Sequence, residues 1–172
     1  LLNFSKLSQE VSFEQTDLNV IIQEVLVDLE LSIAEKKAKV EVMNKLPVVD
    51  AVPGMIRQAL LNILSNALKF SNELIPPVII IENQRVASLS ILAENDEDGD
   101  YCLVKITDNG IGFDMEKNKN KLFGLNQVFT NRNDSKGVGL YLVKNHMNNL
   151  GGNIEVASQI DVGTTFTLIF KN

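Results

Sequence analysis

Asn62-Ile63-Leu64-Ser65-Asn66-Ala67-Leu68-Lys69-Phe70 decides the reading of this 172-residue chain, because polar side chains recur at helical spacing inside an otherwise apolar run. Helical periodicity places Asn62, Asn66 and Lys69 along one stripe with Gln58 and Ser65 beside it, while Ile56, Leu60, Ile63, Leu64, Ala67 and Phe70 face elsewhere. The segment is predicted to be a helix with one polar wall, and Pro53 suits its first turn. Such a stripe is ordinarily the solvated side of an amphipathic helix. It has a second capacity: amide oxygens can complete the octahedral shell of a magnesium ion, and an ammonium one turn on can meet phosphate oxygens.

Three later segments bear on that capacity. A strand-like run, Leu103 to Thr107, leads into Asp108-Asn109-Gly110-Ile111-Gly112-Phe113. A carboxylate at a strand end can accept from the exocyclic amine of adenine, whereas guanine presents a carbonyl there and is repelled. The two glycines permit positive φ and close backbone approach, although Asp-Asn-Gly is also an ordinary turn sequence. Ser135-Lys136-Gly137-Val138-Gly139-Leu140 opens an amphipathic helix that stops at Gly151-Gly152, and amides exposed at a helix start suit phosphate oxygens. Finally, Gly163-Thr164-Thr165-Phe166 begins a strand whose alternating Phe166, Leu168 and Phe170 are predicted to point inward.

In this order the four segments resemble the ATP-binding catalytic domain of sensor histidine kinases, in the superfamily that also holds gyrase, heat-shock chaperone and mismatch-repair ATPases. Asn62 to Phe70 resembles the family's N box, Asp108 to Gly112 its first glycine box, Leu122 to Phe129 its F box, Gly137 to Leu140 its second glycine box and Gly163 to Phe166 its third. The resemblance implies that Asn66 ligates magnesium with help from Asn62, that Lys69 lies near the phosphates, and that Asp108 reads adenine with Thr165 supporting it through water. It places Gly110 and Gly112 at the border of the adenine pocket and a lid from Asp114 to Lys136. Gly137, Gly139 and Leu140 then offer amides to the triphosphate, and Lys136 or Arg132 meets the terminal phosphate. Tyr141 stands where many relatives have another glycine. Phe123 and Phe129 either anchor the lid to an acceptor hairpin or pack on the core.

One position separates reactions within the superfamily. Hydrolysing relatives carry a glutamate one turn before the metal-binding Asn, as a general base; here that place is Asn62, and an amide accepts no proton at neutral pH. Phosphoryl transfer relies instead on positioning and charge neutralisation. The acceptor that the resemblance implies is a histidine on a separate dimerising hairpin, with a response-regulator aspartate next in the relay. The single histidine, His146, lies in the helix after the second glycine box without a neighbouring carboxylate, and reads as a surface residue complementing the helix dipole. A degenerate nucleotide-binding switch, an ATP-hydrolysing member and a serine kinase acting on a regulatory protein are the alternatives; the Lys69-Phe70-Ser71 ending favours the histidine kinase.

The expected organisation is residues 1–12 as the end of the dimerisation and phosphoacceptor hairpin, resembled by Leu1 to Leu7, followed by a catalytic domain over residues 13–172. The resemblance implies an α/β (α+β) two-layer sandwich of the Bergerat type, a mixed sheet with three main helices on one face and an ATP lid. A net charge of −6 and a pI near 4.8 argue against a nucleic-acid surface. No apolar run is long enough to cross a membrane, so the expectation is a cytoplasmic domain, soluble even if its parent is anchored in the inner membrane. Asp17 caps a helix carrying Leu18, Ile21, Ile22, Val25, Leu26, Leu29 and Ile33, and Val40 with Val42 form a short strand. Val78 to Ile81 and Val86 to Leu92 form a hairpin region with a loop from Glu94 to Asp100, and Cys102 packs in a buried strand.

Overall fold

The structure, a computed structural model, describes residues 12–88, 98–118 and 139–171. The chain runs β1 (Glu14–Asp17), α1 (Leu18–Asp28), α2 (Glu30–Lys36), β2 (Lys39–Val42), β3 (Val48–Ala51), α3 (Pro53–Lys69), β4 (Val78–Ser88), β5 (Asp98–Asp108), α4 (Met115–Asn118), α5 (Gly139–Asn149), β6 (Asn153–Gln159) and β7 (Gly163–Lys171). Pro53 begins α3, where its missing N–H breaks no helical bond. Ile56, Ala59, Leu60, Ile63, Leu64, Ala67 and Leu68 are buried, which leaves the Gln58, Asn62, Ser65, Asn66 and Lys69 stripe half-buried.

That helix occupies the middle of the helical layer, in contact with both α1 and α5. Asp17 caps α1 by accepting from the Asn19 amide at 2.9 Å, and Leu18, Ile21, Ile22 and Val25 are turned inward. The helix does not run unbroken to Ile33: Leu29, at φ −96° and ψ 7°, separates α1 from α2. Arg57 of α3 pairs with Glu24 and Asp28 of α1; such exposed ion pairs contribute little beyond orientation. Leu140, Val143 and Met147 of α5 enter the same core.

Beneath the helices lies a five-stranded sheet in the order β2-β4-β5-β7-β6, with β2 and β4 parallel and the other neighbours antiparallel. Strand alternation turns Ile79 and Ile81 of β4, Cys102, Val104 and Ile106 of β5, and Phe166, Leu168 and Phe170 of β7 into the common core. The mixed sheet with α1, α3 and α5 on one face is the expected two-layer arrangement. The opposite face carries only a small cluster of Tyr101, Leu103 and Ile169 with Val86 against it.

Val78 to Ile81 and Val86 of the expected hairpin region belong to one strand, which runs through Ser88 and pairs antiparallel with β5. Polar Glu82 to Arg85 continue that strand because ladder bonds, not burial, hold them. Asp98 to Asp100, expected in a loop, begin β5, while residues 89–97 are outside the described part. A further antiparallel pair, β1 with β3, joins Glu14–Asp17 to Val48–Ala51 and was not anticipated.

Leu64 is 1% exposed in the core face of α3. Leu64→Ala is therefore expected to lower unfolding stability by about 3 kcal/mol through lost burial and the remaining cavity. Urea unfolding measures the shift, and a loss under ~0.5 kcal/mol would contradict this placement.

Candidate functional site

The polar centre of the fold forms where β5 ends. Asp108 pairs across the ladder with Thr164 and so shares the helix-facing side with Ile106 and Phe166. Its Oδ1 accepts from the Gly110 amide at 2.9 Å and the Thr164 amide at 3.3 Å. The first bond closes a turn over Asn109. Burial pushes the Asp108 carboxyl above its usual range, opposed by the two amide donors. Asn109 fixes the other flank: its Oδ1 accepts from Val78 N–H at 2.8 Å and its Nδ2 donates to Pro76 O at 3.2 Å.

Gly163 makes this meeting of strands possible. Its φ of 137° is strained for any side chain, and a Cβ there would collide with the Asp108 carbonyl oxygen. Ser158 of β6 braces the same corner. Its Oγ accepts from Phe113 N–H at 2.9 Å, donates to Gly163 O at 3.1 Å and lies 2.8 Å from Thr164 Oγ1.

The loop after Asp108 is tied to the end of α3. Ile111 N–H donates to Phe70 O at 3.0 Å, and Phe70 N–H donates to Asn66 O at 2.9 Å. A Cβ on Gly110 would stand 2.6 Å from Phe70 O, so the close approach requires glycine. Asp161 N–H donates to Ile111 O at 2.8 Å and joins the β6–β7 turn to the loop, in which Gly112 has φ 64°. Ser71, buried just past α3, binds the Lys36 ammonium at 3.1 Å.

These contacts bring the C-terminal half of the α3 stripe to the corner that holds Asp108, Gly110 and Gly112. Asn62 Oδ1 accepts from Gln58 Nε2 at 3.1 Å, whereas the Asn66 side chain makes no hydrogen bond among the described residues. Lys69, in the last turn, carries its cation at the end that favours positive charge. Gly139 begins α5, and Leu140 is 8% exposed with its side chain in the core, so only its backbone faces outward chemistry. Lys136, Gly137, Arg132, Phe123, Phe129 and the greater part of the lid and F box lie outside the described residues.

Thr165 requires correction. It is not beside Asp108: its cross-strand partner is Thr107, and the two hydroxyls share a 3.1 Å hydrogen bond on the face turned away from the helices. Adjacent strand residues point to opposite faces, so Thr164 takes the place expected of Thr165. Ser158 also escaped the reading, since a serine in a polar strand carries no periodic signal. The Thr107–Thr165 side borders an open cleft of about 480 Å³ with Val78, Ile80, Ala157 and Val162 on its wall. His146 lies half-buried in the last turn of α5, and burial pushes its pKa down.

Among the described residues there is no cluster of three or more His, Cys, Asp or Glu suited to a metal, and no helix is long and apolar enough to cross a membrane. The available donors near α3 are amide oxygens. They suit a hard cation that takes its remaining ligands from phosphate and water.

Over residues 51–172 the chain matches the family described as "Histidine kinase-, DNA gyrase B-, and HSP90-like ATPase". Signal transduction histidine-protein kinase AtoS of Escherichia coli is 30% identical over 171 residues, covering 98% of this chain and 25% of that protein. Sensor histidine kinase ZraS of Escherichia coli is 29% identical over 160 residues, covering 92% and 31% respectively. The chain thus spans 25% and 31% of the length of these two relatives. The nucleotide-free catalytic domain of histidine kinase ThkA superposes with a TM-score of 0.72 at 22% identity, covering 93% of this chain and 97% of that one. Full-length ShkA in complex with AMPPNP gives 0.69 at 23% identity, covering 94% and 31%. These likenesses establish the fold.

Two outcomes test the corner. Gly163→Ala is expected to cost about 3 kcal/mol, seen in chemical denaturation, because it adds both strain and collision. Asp108→Asn retains an acceptor for both amides without a charge to desolvate. The raised native pKa means that the folded chain binds more protons than the unfolded one between their two values, so stability falls as pH rises through that window. The ligand-free Asn variant should therefore melt at or above the wild type near neutral pH, with the difference fading below the ordinary carboxylate range. Melting several degrees lower at neutral pH would contradict the role of burial.

Proposed function

Because the chain belongs to the histidine kinase-, DNA gyrase B- and HSP90-like ATPase family, we propose that it is the ATP-binding, phosphoryl-donating domain of a two-component sensor histidine kinase. The observation that carries this reading is the Asp108 carboxylate, held by two backbone amides at a strand end and tied through Gly110 and Ile111 to the polar end of α3. An acceptor so placed suits the amino group of adenine. Asn66 and Lys69 then lie toward the phosphates, where an amide oxygen and an ammonium are the groups required.

Magnesium, when bound with ATP, would neutralise phosphate charge; Asn66 is the side chain best suited to hold it, and Asn62, whose Oδ1 accepts from Gln58, would assist. Gly139 and Leu140 contribute backbone amides at the start of α5, the end that favours anions. Lys136 and Gly137 belong to the same proposed phosphate site by sequence. Asn62 stands where hydrolysing relatives carry a general base, and an amide accepts no proton at neutral pH, so this stripe orients and neutralises rather than activating water. The γ-phosphoryl group passes to a histidine on an acceptor hairpin outside this domain, and then to the aspartate of a response-regulator receiver domain. Homodimerisation through that hairpin, a cytoplasmic setting for the domain and no nucleic-acid partner complete the reading.

Calorimetric titration with ATP, with and without magnesium, tests it while phosphate release is followed in the same samples. Magnesium-enhanced binding with almost no release is expected. Asn66→Ala should weaken Mg-ATP binding about 10- to 100-fold while leaving binding of metal-free ATP nearly unchanged. Sustained phosphate release would instead identify a hydrolysing ATPase, and unchanged Mg-ATP affinity in the variant would remove Asn66 from the metal site.

A further inference from the structure

Gln58 stands one helical turn before Asn62 on the polar stripe of α3, and its Nε2 donates to Asn62 Oδ1 at 3.1 Å. Both residues are half-buried. Neither fills the core, which Ile56, Ala59, Leu60, Ile63 and Leu64 supply from the other side of the same helix. An amide pair at this spacing adds little to helix stability. Its consequence is one of direction.

The torsion that turns an asparagine amide is broad and roughly two-fold, so an unrestrained Asn presents its oxygen or its NH2 group at similar cost. The two ends have opposite chemistry. A carbonyl oxygen ligates a hard cation, whereas an NH2 group, a donor, does not. The Gln58 donor settles the choice, because exchanging the ends of Asn62 alone would set NH2 against NH2. An amide oxygen has two lone pairs, so accepting from Gln58 is compatible with ligating a cation.

The base of this arrangement is fixed. Arg57, the neighbour of Gln58, pairs with Glu24 and Asp28 of α1. Ile56 and Ala59 on either side are fully buried, which sets the rotation of α3 about its axis and keeps Gln58 on the stripe. Helical side chains lean toward the N-terminus, so Asn66 leans toward Asn62 as Asn62 leans toward Gln58. Three amides thus follow one another along one line.

Resting on the Mg-ATP reading above, we propose that Gln58 is a positioning residue for the metal: its amide proton holds Asn62 with the oxygen, rather than the NH2 group, offered to a magnesium ion shared with Asn66. Gln58 touches neither metal nor nucleotide. It acts through Asn62, as groups behind a metal ligand fix that ligand's orientation.

The test is calorimetry of ATP binding to the intact domain with magnesium and with magnesium chelated; the ratio of the two affinities is the quantity read. Gln58→Met keeps the length and helix preference of the side chain without the donor. It should lower the magnesium enhancement about fivefold, the scale of one neutral hydrogen bond, and leave metal-free ATP affinity within ~2-fold. In an Asn62→Ala background the same substitution should change the enhancement less than ~2-fold, because the residue through which it acts is gone. In the ligand-free domain the Asn62 side-chain amide signals in NMR should shift or broaden on Gln58→Met, a readout that needs no nucleotide.

An unmoved enhancement in Gln58→Met overturns the proposal, as does an equal loss of metal-free and Mg-ATP affinity, which marks a purely structural role. An undiminished effect in the Asn62→Ala background, or unchanged Asn62 amide signals, does the same. If Gln58→Met fails to fold, Gln58→Ala is read by the same criteria. A wild-type domain without magnesium enhancement, or with an enhancement that survives Asn66→Ala, overturns the metal reading and this inference with it. Enhancement that is lost in Asn66→Ala but unmoved in Gln58→Met overturns the inference alone.

Discussion

The hydrogen bonds that converge on Asp108 Oδ1 hold three parts of the chain in one place. The Thr164 amide brings the start of β7, the Gly110 amide brings the loop after β5, and through Ile111 that loop reaches the carbonyl of Phe70 at the end of α3. A sheet edge and a helix terminus are otherwise independent surfaces. Here one carboxylate oxygen makes them a single corner. The glycines follow from that convergence: Gly110 lets the loop approach Phe70, and Gly163 lets β7 begin against the Asp108 carbonyl.

The arrangement is not optimised for stability. Burial raises the Asp108 pKa, so holding the group ionised at neutral pH opposes folding, and only two neutral amides offset that effect. An asparagine would keep both hydrogen bonds without the desolvation. A charged acceptor that a neutral one could replace structurally is best understood through what it recognises, since proteins commonly give up stability at binding sites. The core beneath it, with Ile63, Leu64, Ile106 and Leu168 nearly inaccessible, supplies the rigidity that this requires.

Much of this was legible in the sequence wherever one element's periodicity was enough. The α3 stripe was readable because apolar and polar residues separate cleanly on a helix, and Asp17 and Pro53 marked helix starts by local chemistry. Legibility failed where two elements had to be combined. Thr164 and Thr165 are chemically identical neighbours, and only the register with Asp108 and Thr107 decides which one faces the site. Ser158 has no meaning until β6 lies beside Gly163 and the Phe113 loop. The short β1–β3 pair was hidden because four polar or mixed residues acquire strand character only from their partner. The resemblance supplied the family, and register placed Thr164 rather than Thr165 opposite Asp108.

The two ends of the site rest on different supports. Asp108 and Thr164, with Ser158 behind them, belong to strand ends held by ladder bonds. Asn66 and Lys69 belong to the last turns of a helix whose position at the corner depends on Phe70 and on the Lys36–Ser71 hydrogen bond. Under the proposed function, base choice would belong to the sheet and phosphate handling to the helices, and the β5–α4 loop, bonded to both Phe70 and Ser158, is the strip of backbone that joins the two ends.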